Sequence, residues 1–426
     1  MFASATIESV TASRMRALIV LCLACVLQLS LPAGATKVFA AGSVANDARL
    51  GGDANRTRFV TVLSKKVKFG IRTLANPYRV IIDLSDVKLN FPSGRGSKGR
   101  GLVKGYRYGR VEPHGVRIIL DVKEPVLVDK ASIWPASNGN PPRLVVELVK
   151  TDRKIFLSKQ AARTRQAASA RPRNGGSGSP AVHAPKRRKS ANAKRVIVID
   201  PGHGGIDPGA ISRSGLKEKD IVLAFSKTLQ TKLKASGRYQ VVMTRTQDGY
   251  IPLRKRVEIG RHKGADLFIS VHADALPGRN ARKVTGAAVY TLSEDASDEE
   301  AKALAAKENR SDIIAGVELP SESNDVTNIL IDLAQRETKN LSISFADTLL
   351  TGLAGKTSVR KKARRFAGFR VLKAPDVPSV LLELGYVTNS VDAKRLQSSA
   401  WRNKVAEAVA KAVDTYFSRQ LARKPF

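Results

Sequence analysis

VIVIDPGHGGIDPGA, residues 196–210, decides how the second half of the chain folds. Val196, Ile197, Val198 and Ile199 are consecutive and β-branched with no polar alternation, the pattern of a short strand covered on both faces, as in a parallel sheet flanked by helices. Asp200-Pro201-Gly202 ends that strand. His203 is thereby placed just beyond the strand's C-terminal end, where open α/β sheets carry their ligands. Gly202, Gly204 and Gly205 allow tight turning and keep bulk away from the imidazole. A single histidine in such a turn is more often incidental than a ligand, so the reading depends on partners.

Working outward, DLFISVHADA (266–275) repeats the pattern, an apolar strand with His272 at its tip. Between the two histidines lies LKEKD, with Glu218 just ahead of a helix. Two imidazoles and one carboxylate, with a position left open for water, make a recurrent catalytic zinc set. PSVLLELG (378–385) adds Glu383 at the end of another apolar strand, placed to act as a base.

Strand and helix patterns alternate from residue 195 to 418. A helix is expected over Lys219–Ala235, a strand at YQVVMTR, a helix around Val257, strands at GAAVYTLS, FRVLK and PSVLLELG, and a closing helix over Trp401–Phe417. The expectation is an α/β fold, a three-layer domain with a mostly parallel central sheet. Upstream, RFVTVLS, VKFGIRTL, YRVIIDLSDV, VRIILDVKEPVLV and RLVVELV are strand-like runs separated by turns. They predict a small all-β sandwich over residues 57–150. Residues 151–194 read as a basic Gly/Ser/Pro linker.

The N-terminus reads as an export signal over residues 1–40. Arg14 and Arg16 precede the apolar run ALIVLCLACVLQLSL (17–31), and small-residue cleavage candidates end at Ala35 and Ala40. Both cysteines, Cys22 and Cys25, fall inside it, so any metal in the mature chain must be held by histidines and carboxylates. The formal net charge of +36 would ordinarily suggest nucleic acid. An exported chain with 5% aromatics, and no basic run interleaved with stacking residues, meets anionic envelope polymer or membrane surface instead, with no nucleic-acid partner; the linker reads equally as a soluble tether or as a grip on such polymer. His114, His183 and His262 read as surface, linker and structural residues.

DPGHGGIDPGA, LKEKDI, SVHADA and VPSVLLELGYVTN, in this order and spacing, resemble the zinc-dependent N-acetylmuramoyl-L-alanine amidases of the cell wall. The resemblance covers residues 195 to about 418. It implies one Zn2+ per catalytic domain held by His203, Glu218 and His272, with Glu383 as the catalytic glutamate. Tyr386 stands where the family usually has Phe. TRFV, NPYRVIIDL, GLVKGYRYGRV and RIILDVKEPV are similar to the AMIN domain that localises such amidases on peptidoglycan. The implied location is the periplasm, enriched at the division septum.

An insertion of about 294–337 begins with an acidic, Ala-rich stretch and continues into a helix-spaced apolar run through Ile329, Leu333, Leu341, Phe345 and Leu349. Amidases with an AMIN domain carry a helix that blocks the site until a LytM-type activator displaces it. The resemblance therefore implies a plugging glutamate, with Glu308 the first candidate and Glu299 and Glu300 the alternatives. Two other functions stay open. A zinc carboxypeptidase acting on stem peptides would use Arg245 or Arg254 for the terminal carboxylate, and a wall-binding module would carry a dead site.

Overall fold

The computed structural model describes residues 42–92, 94–112, 115–169, 193–275, 283–317 and 329–422. The expected export signal, most of the basic linker, His114 and His183 lie outside them. Among the described residues no helix is long and apolar enough to cross a membrane.

Among the described residues, nine strands form the N-terminal region: β1 (Ser43–Gly52), β2 (Arg56–Leu63), β3 (Phe69–Leu74), β4 (Arg79–Leu84), β5 (Val87–Leu89), β6 (Val103–Val111), β7 (Gly115–Val122), β8 (Val126–Trp134) and β9 (Arg143–Lys150). They make two sheets, β5-β1-β2-β9-β8 and β3-β4-β7-β6. Alternating inward residues such as Phe59, Leu63, Val80, Ile82, Ile118, Leu120, Val146 and Leu148 fill the space between them. β1 lies ahead of the stretch that reads as β-rich, because SVANDARLGG is mostly small and polar. A helix, α1 (Arg153–Ser169), occupies the start of the stretch expected to be a linker. Its Phe156 is buried edge-on against Tyr78.

The second region has the order β10 (Arg195–Pro201), α2 (Glu218–Ala235), β11 (Tyr239–Met243), α3 (Leu253–His262), β12 (Leu267–His272), β13 (Ala287–Leu292), α4 (Glu299–Glu308), α5 (Ser311–Ile314), α6 (Ile329–Leu353), β14 (Val359–Ala367), β15 (Ser379–Glu383), α7 (Ser390–Gln397) and α8 (Ser399–Ala422). Its sheet runs β11-β10-β12-β15-β13-β14. β11, β10, β12 and β15 are mutually parallel, β13 runs antiparallel to β15, and β14 is parallel to β13. Ile197, Ile199, Leu267, Ile269, Val380 and Leu382 meet α2, α6 and α8 on one face, while Val198, Phe268, Tyr290 and Leu381 meet α3 and α4 on the other. This is the three-layer α/β arrangement expected from the alternating pattern.

One strand departs from expectation. FRVLK does not form a strand; Arg370–Leu372 make a 3-10 turn, and β14 is the preceding VRKKARRFA. Its alternation is inverted in polarity, with Arg365 buried and Phe366 exposed, so hydrophobic periodicity does not reveal it.

The two regions share a junction. Tyr250 N–H donates to the Arg110 carbonyl at 3.0 Å and Glu112 N–H to the Tyr250 carbonyl at 2.9 Å. Leu74, Ile81, Val111 and Ile119 of the sandwich form a small core with Ile206, Tyr250 and Ala315. Three sandwich arginines reach α5 and the chain that follows it. Arg117 donates to the carbonyls of Ala315 (2.8 Å) and Gly316 (3.3 Å), Arg72 to that of Gly316 (2.9 Å), and Arg79 to that of Ile313. Asp83 pairs with both Arg72 and Arg117 from beneath.

Candidate metal centre and active site

β10 and β12 are adjacent and parallel, so their C-terminal ends deliver His203 and His272 to the same edge of the sheet. The imidazole centroids are 4.9 Å apart. Gly202 is required here because a Cβ would stand 2.5 Å from the His272 ring. Gly209, at φ +66°, is required likewise, since a Cβ would meet Glu218 and His203 at 2.7 Å.

Glu218 enters from the first turn of α2, where the helix N-terminus favours an anion. Its Oε2 accepts from Ala210 N–H (2.8 Å) and its Oε1 from Ala273 N–H (2.9 Å). It stands 3.2 Å from His203 Nε2 and 3.2 Å from His272 Nδ1. The ligand atoms of His203, Glu218 and His272 all lie within 4.8 Å of one another, and all three residues are buried. His203 Nε2 is buried without a hydrogen-bond partner although two carboxylates face it. A divalent cation among these atoms would satisfy it, so the donor set fits zinc.

Asp207, which the sequence reading did not single out, lies 2.9 Å from His203 Nδ1 and directs Nε2 into the site. Its signal was available in the second half of DPGHGGIDPGA, four residues after the histidine. Burial opposes charge on His203, but Glu218, Asp207 and Glu308 hold its pKa well above the ordinary value. Burial also opposes charge on Glu218, and the two imidazoles keep it well below the ordinary carboxylate range.

Glu383 closes β15, beside His272 in the register of the sheet. Its Oε2 accepts from Asp274 N–H at 3.1 Å, and its buried Oε1 has no partner. Burial pushes its pKa up to about 8, with Glu218 and Glu308 adding to the shift and His272 opposing it. A carboxyl poised in that range suits proton transfer near neutral pH.

The last helical residue of α4 brings a further carboxylate to the same atoms. Glu308 Oε2 lies 3.3 Å from His203 Nε2 and 3.2 Å from His272 Nδ1. Neighbouring residues fasten this segment. Lys307 pairs with Asp274, Ser311 donates to Asp207, and Asp312 accepts from Tyr250 Oη (2.7 Å) and Leu253 N–H (3.0 Å). The other glutamates considered lie elsewhere. The Glu299 side chain is 90% exposed, and Glu300 pairs with Arg360 and Arg365.

Arg245 and Arg254 do not face this cleft as carboxylate anchors. Arg245 is buried and donates to the carbonyls of Pro201, Gly202, Lys219 and Gln247, which braces the His203 loop. Arg254 pairs with Glu258 on the surface of α3. His262 is the last residue of α3.

Residues 197–415 match the family described as N-acetylmuramoyl-L-alanine amidase, and residues 47–133 match the AMIN domain. The chain is 32% identical to N-acetylmuramoyl-L-alanine amidase AmiC of Escherichia coli over 385 residues, covering 85% of this chain and 87% of that one. It is 32% identical to the AmiC of Neisseria meningitidis over 386 residues, covering 86% and 88%. AmiA of Escherichia coli is 41% identical over 236 residues, 55% of this chain and 80% of that one. Among solved structures, AmiC2 of Nostoc punctiforme is 28% identical, covering 54% of this chain and 99% of that one, with a TM-score of 0.39. Four motifs, a shared sheet edge and relatives matched over most of their length place this chain in the N-acetylmuramoyl-L-alanine amidase family, with an AMIN domain ahead of the catalytic domain.

Proposed function

We propose that this amidase is a zinc enzyme that cuts the amide between the lactyl group of muramic acid and L-alanine in peptidoglycan, for septal wall splitting and daughter-cell separation, and that it is autoinhibited. The observation carrying this reading is the convergence of His203, Glu218 and His272 from three separate elements, with Glu308 of the insertion against the same two imidazoles. His203, Glu218 and His272 would hold the ion, which supplies Lewis-acid activation of water and of the substrate carbonyl. Asp207 fixes the orientation of His203. Glu383 takes a proton from the attacking water and returns it to the departing amine nitrogen as the carbon–nitrogen bond breaks. Glu308 occupies the place where water and substrate must enter. A LytM-domain protein is the proposed activator that lifts it.

The proposed division of the chain follows the same logic. Residues 1–40 direct export to the periplasm, the AMIN sandwich over 57–150 binds the wall, and the basic tether over 151–194 contacts anionic polymer. Residues 195–418 carry catalysis, with the insertion of about 294–337 as the cover. The two arginines that the carboxypeptidase alternative would use, Arg245 and Arg254, are both engaged elsewhere.

The test is digestion of purified sacculi by the mature protein and its Glu308→Ala form, with zinc, read by mass spectrometry. Free stem peptides with an L-alanine amine, and glycan left with lactyl carboxylates, are expected. Shortened stems still attached to glycan would overturn the assignment of the bond.

A further inference from the structure

The cover touches a second place besides the histidines. β14 carries Arg360 and Arg365 under the start of α4. Glu300 receives both guanidiniums: Arg360 Nη2 lies 3.1 Å from Oε2, while Arg360 Nη1 and Arg365 Nη1 share Oε1. Arg365 Nη2 adds Asp298 at 2.8 Å, and its Nε is buried without a partner. The floor is aromatic and polar. Tyr386 Oη meets Arg360 at 2.9 Å and Tyr290 Oη meets Arg365 at 3.3 Å, both on fully buried rings. This pocket adjoins the reacting centre, because Ala288 of β13 is the register partner of Glu383 and Tyr386 follows Glu383 by three residues.

Among the described residues, every carboxylate paired with these two arginines belongs to the chain at the start of α4. When α4 leaves, the buried Arg365 and the partly buried Arg360 lose their counter-charges together, a costly state unless another anion arrives. A bidentate carboxylate between two guanidiniums is the geometry Glu300 already displays. Glu300 and Glu308 are eight residues apart on one helix, about 12 Å at 1.5 Å per residue.

We propose that Arg360 and Arg365 form a subsite for a carboxylate on the substrate's stem peptide, and that α4 imitates the substrate at two points, Glu308 at the histidines and Glu300 in the arginine pair. This rests on the reading that the amide is cut at the histidine pair. The muramoyl side of that amide offers no carboxylate, its lactyl group being consumed in the bond, so the peptide side faces β14. A span of about 12 Å corresponds to three to four extended residues. The glutamyl carboxylate, on the second residue, is too close. The side-chain carboxylate of a diaminodicarboxylic acid at the third residue reaches it.

The test is calorimetric binding to the mature chain with Asp298→Asn, Glu300→Gln and Glu308→Ala combined, which removes the three carboxylates that meet the arginine pair and the histidines. The probes are L-Ala-γ-D-Glu-meso-diaminopimelate with its main-chain terminus amidated, the same peptide with L-lysine at the third residue, and the same peptide with D-isoglutamine at the second. The diaminopimelate peptide should bind at least about tenfold tighter than the lysine peptide, the scale of one well-formed charged contact. Adding Arg360→Gln should erase that preference while leaving the lysine peptide's affinity unchanged, and the isoglutamine peptide should bind like its parent. Arg360 is only partly buried, so this variant tests the idea even if Arg365→Gln fails to fold. Equal binding of the diaminopimelate and lysine peptides, or a preference that survives Arg360→Gln, would overturn the subsite. A preference that follows the glutamyl carboxylate would overturn its assignment to the third residue. Binding does not require turnover, so failure of the subsite is separate from failure of the sacculus digest.

Discussion

Replacing Glu308 by alanine tests the cover at its tip. The carboxylate is 5% exposed and stands between two imidazoles at 3.2 and 3.3 Å. Contacts to charged groups in such settings contribute about 1.5–3 kcal/mol. At about 1.4 kcal/mol per factor of ten, the open fraction should rise between roughly tenfold and 150-fold. The rise should stop short of full activation. Ala301, Leu304 and Ala305 still bury their side chains, Glu300 still holds the arginine pair, and Ser311 and Asp312 still fasten the chain beyond. The assay is release of soluble fragments from dye-labelled sacculi without activator, with zinc content measured on the same sample. Glu299→Ala is the matched control, because that side chain is exposed and touches neither histidine. A Glu308→Ala rate within twofold of the parent at full zinc content, or an equal rise in the Glu299→Ala control, would refute the reasoning.

Other outcomes follow from neighbouring groups. Glu383→Gln keeps the shape of the site but cannot move a proton; turnover should fall by about 10²–10⁴-fold while zinc content is unchanged, and activity above a tenth of the parent would exclude the role. The metal-free protein should lose stability as pH rises. Glu383 is held up to about 8 and both histidines are raised, so above the ordinary carboxylate range the folded chain binds protons that the unfolded chain has released. Its melting temperature should therefore fall under chelation as pH rises from the ordinary carboxylate range to about 8, where Glu383 gives up its proton in the folded chain, and a rise would contradict the assigned directions. Gly316→Val should raise basal activity without touching the site. Gly316 sits at φ +66° and an added Cβ would stand 2.7 Å from Ile81 Cδ1, a strain of about 1–3 kcal/mol that prising the segment off the sandwich relieves. Unchanged basal release with an unchanged melt would count against that coupling.

The candidate site was legible because each of its groups follows an apolar strand or opens a helix. His272 and Glu383 end apolar runs that form buried strands, His203 lies two residues beyond another, and Glu218 opens α2. Local pattern is enough when a side chain's position follows from its own element. It fails where the partner is distant. Arg365 looks like one more surface cation in VRKKARRFA, yet it is buried because Asp298, Glu300 and Tyr290 come to it from two other elements. β14 escapes a pattern reading for that reason, since a strand whose inward positions are Ala363, Arg365 and Ala367, with Phe366 outward, carries no hydrophobic alternation. Likewise nothing around Arg117 announces that it will cap carbonyls about 200 residues onward, a pairing set by tertiary docking alone.

That docking ties two equilibria together. Arg72, Arg79 and Arg117 hold the same stretch of chain whose other end carries Glu308. The stretch is thus a shared ligand of two domains, and reciprocity applies. A surface that engages this arginine face only when the stretch has left must weaken the cover by some factor. Departure of the cover must then strengthen adhesion to that surface by the same factor. Such an enzyme would grip hardest where it is already cutting, and would let go as its active site closed.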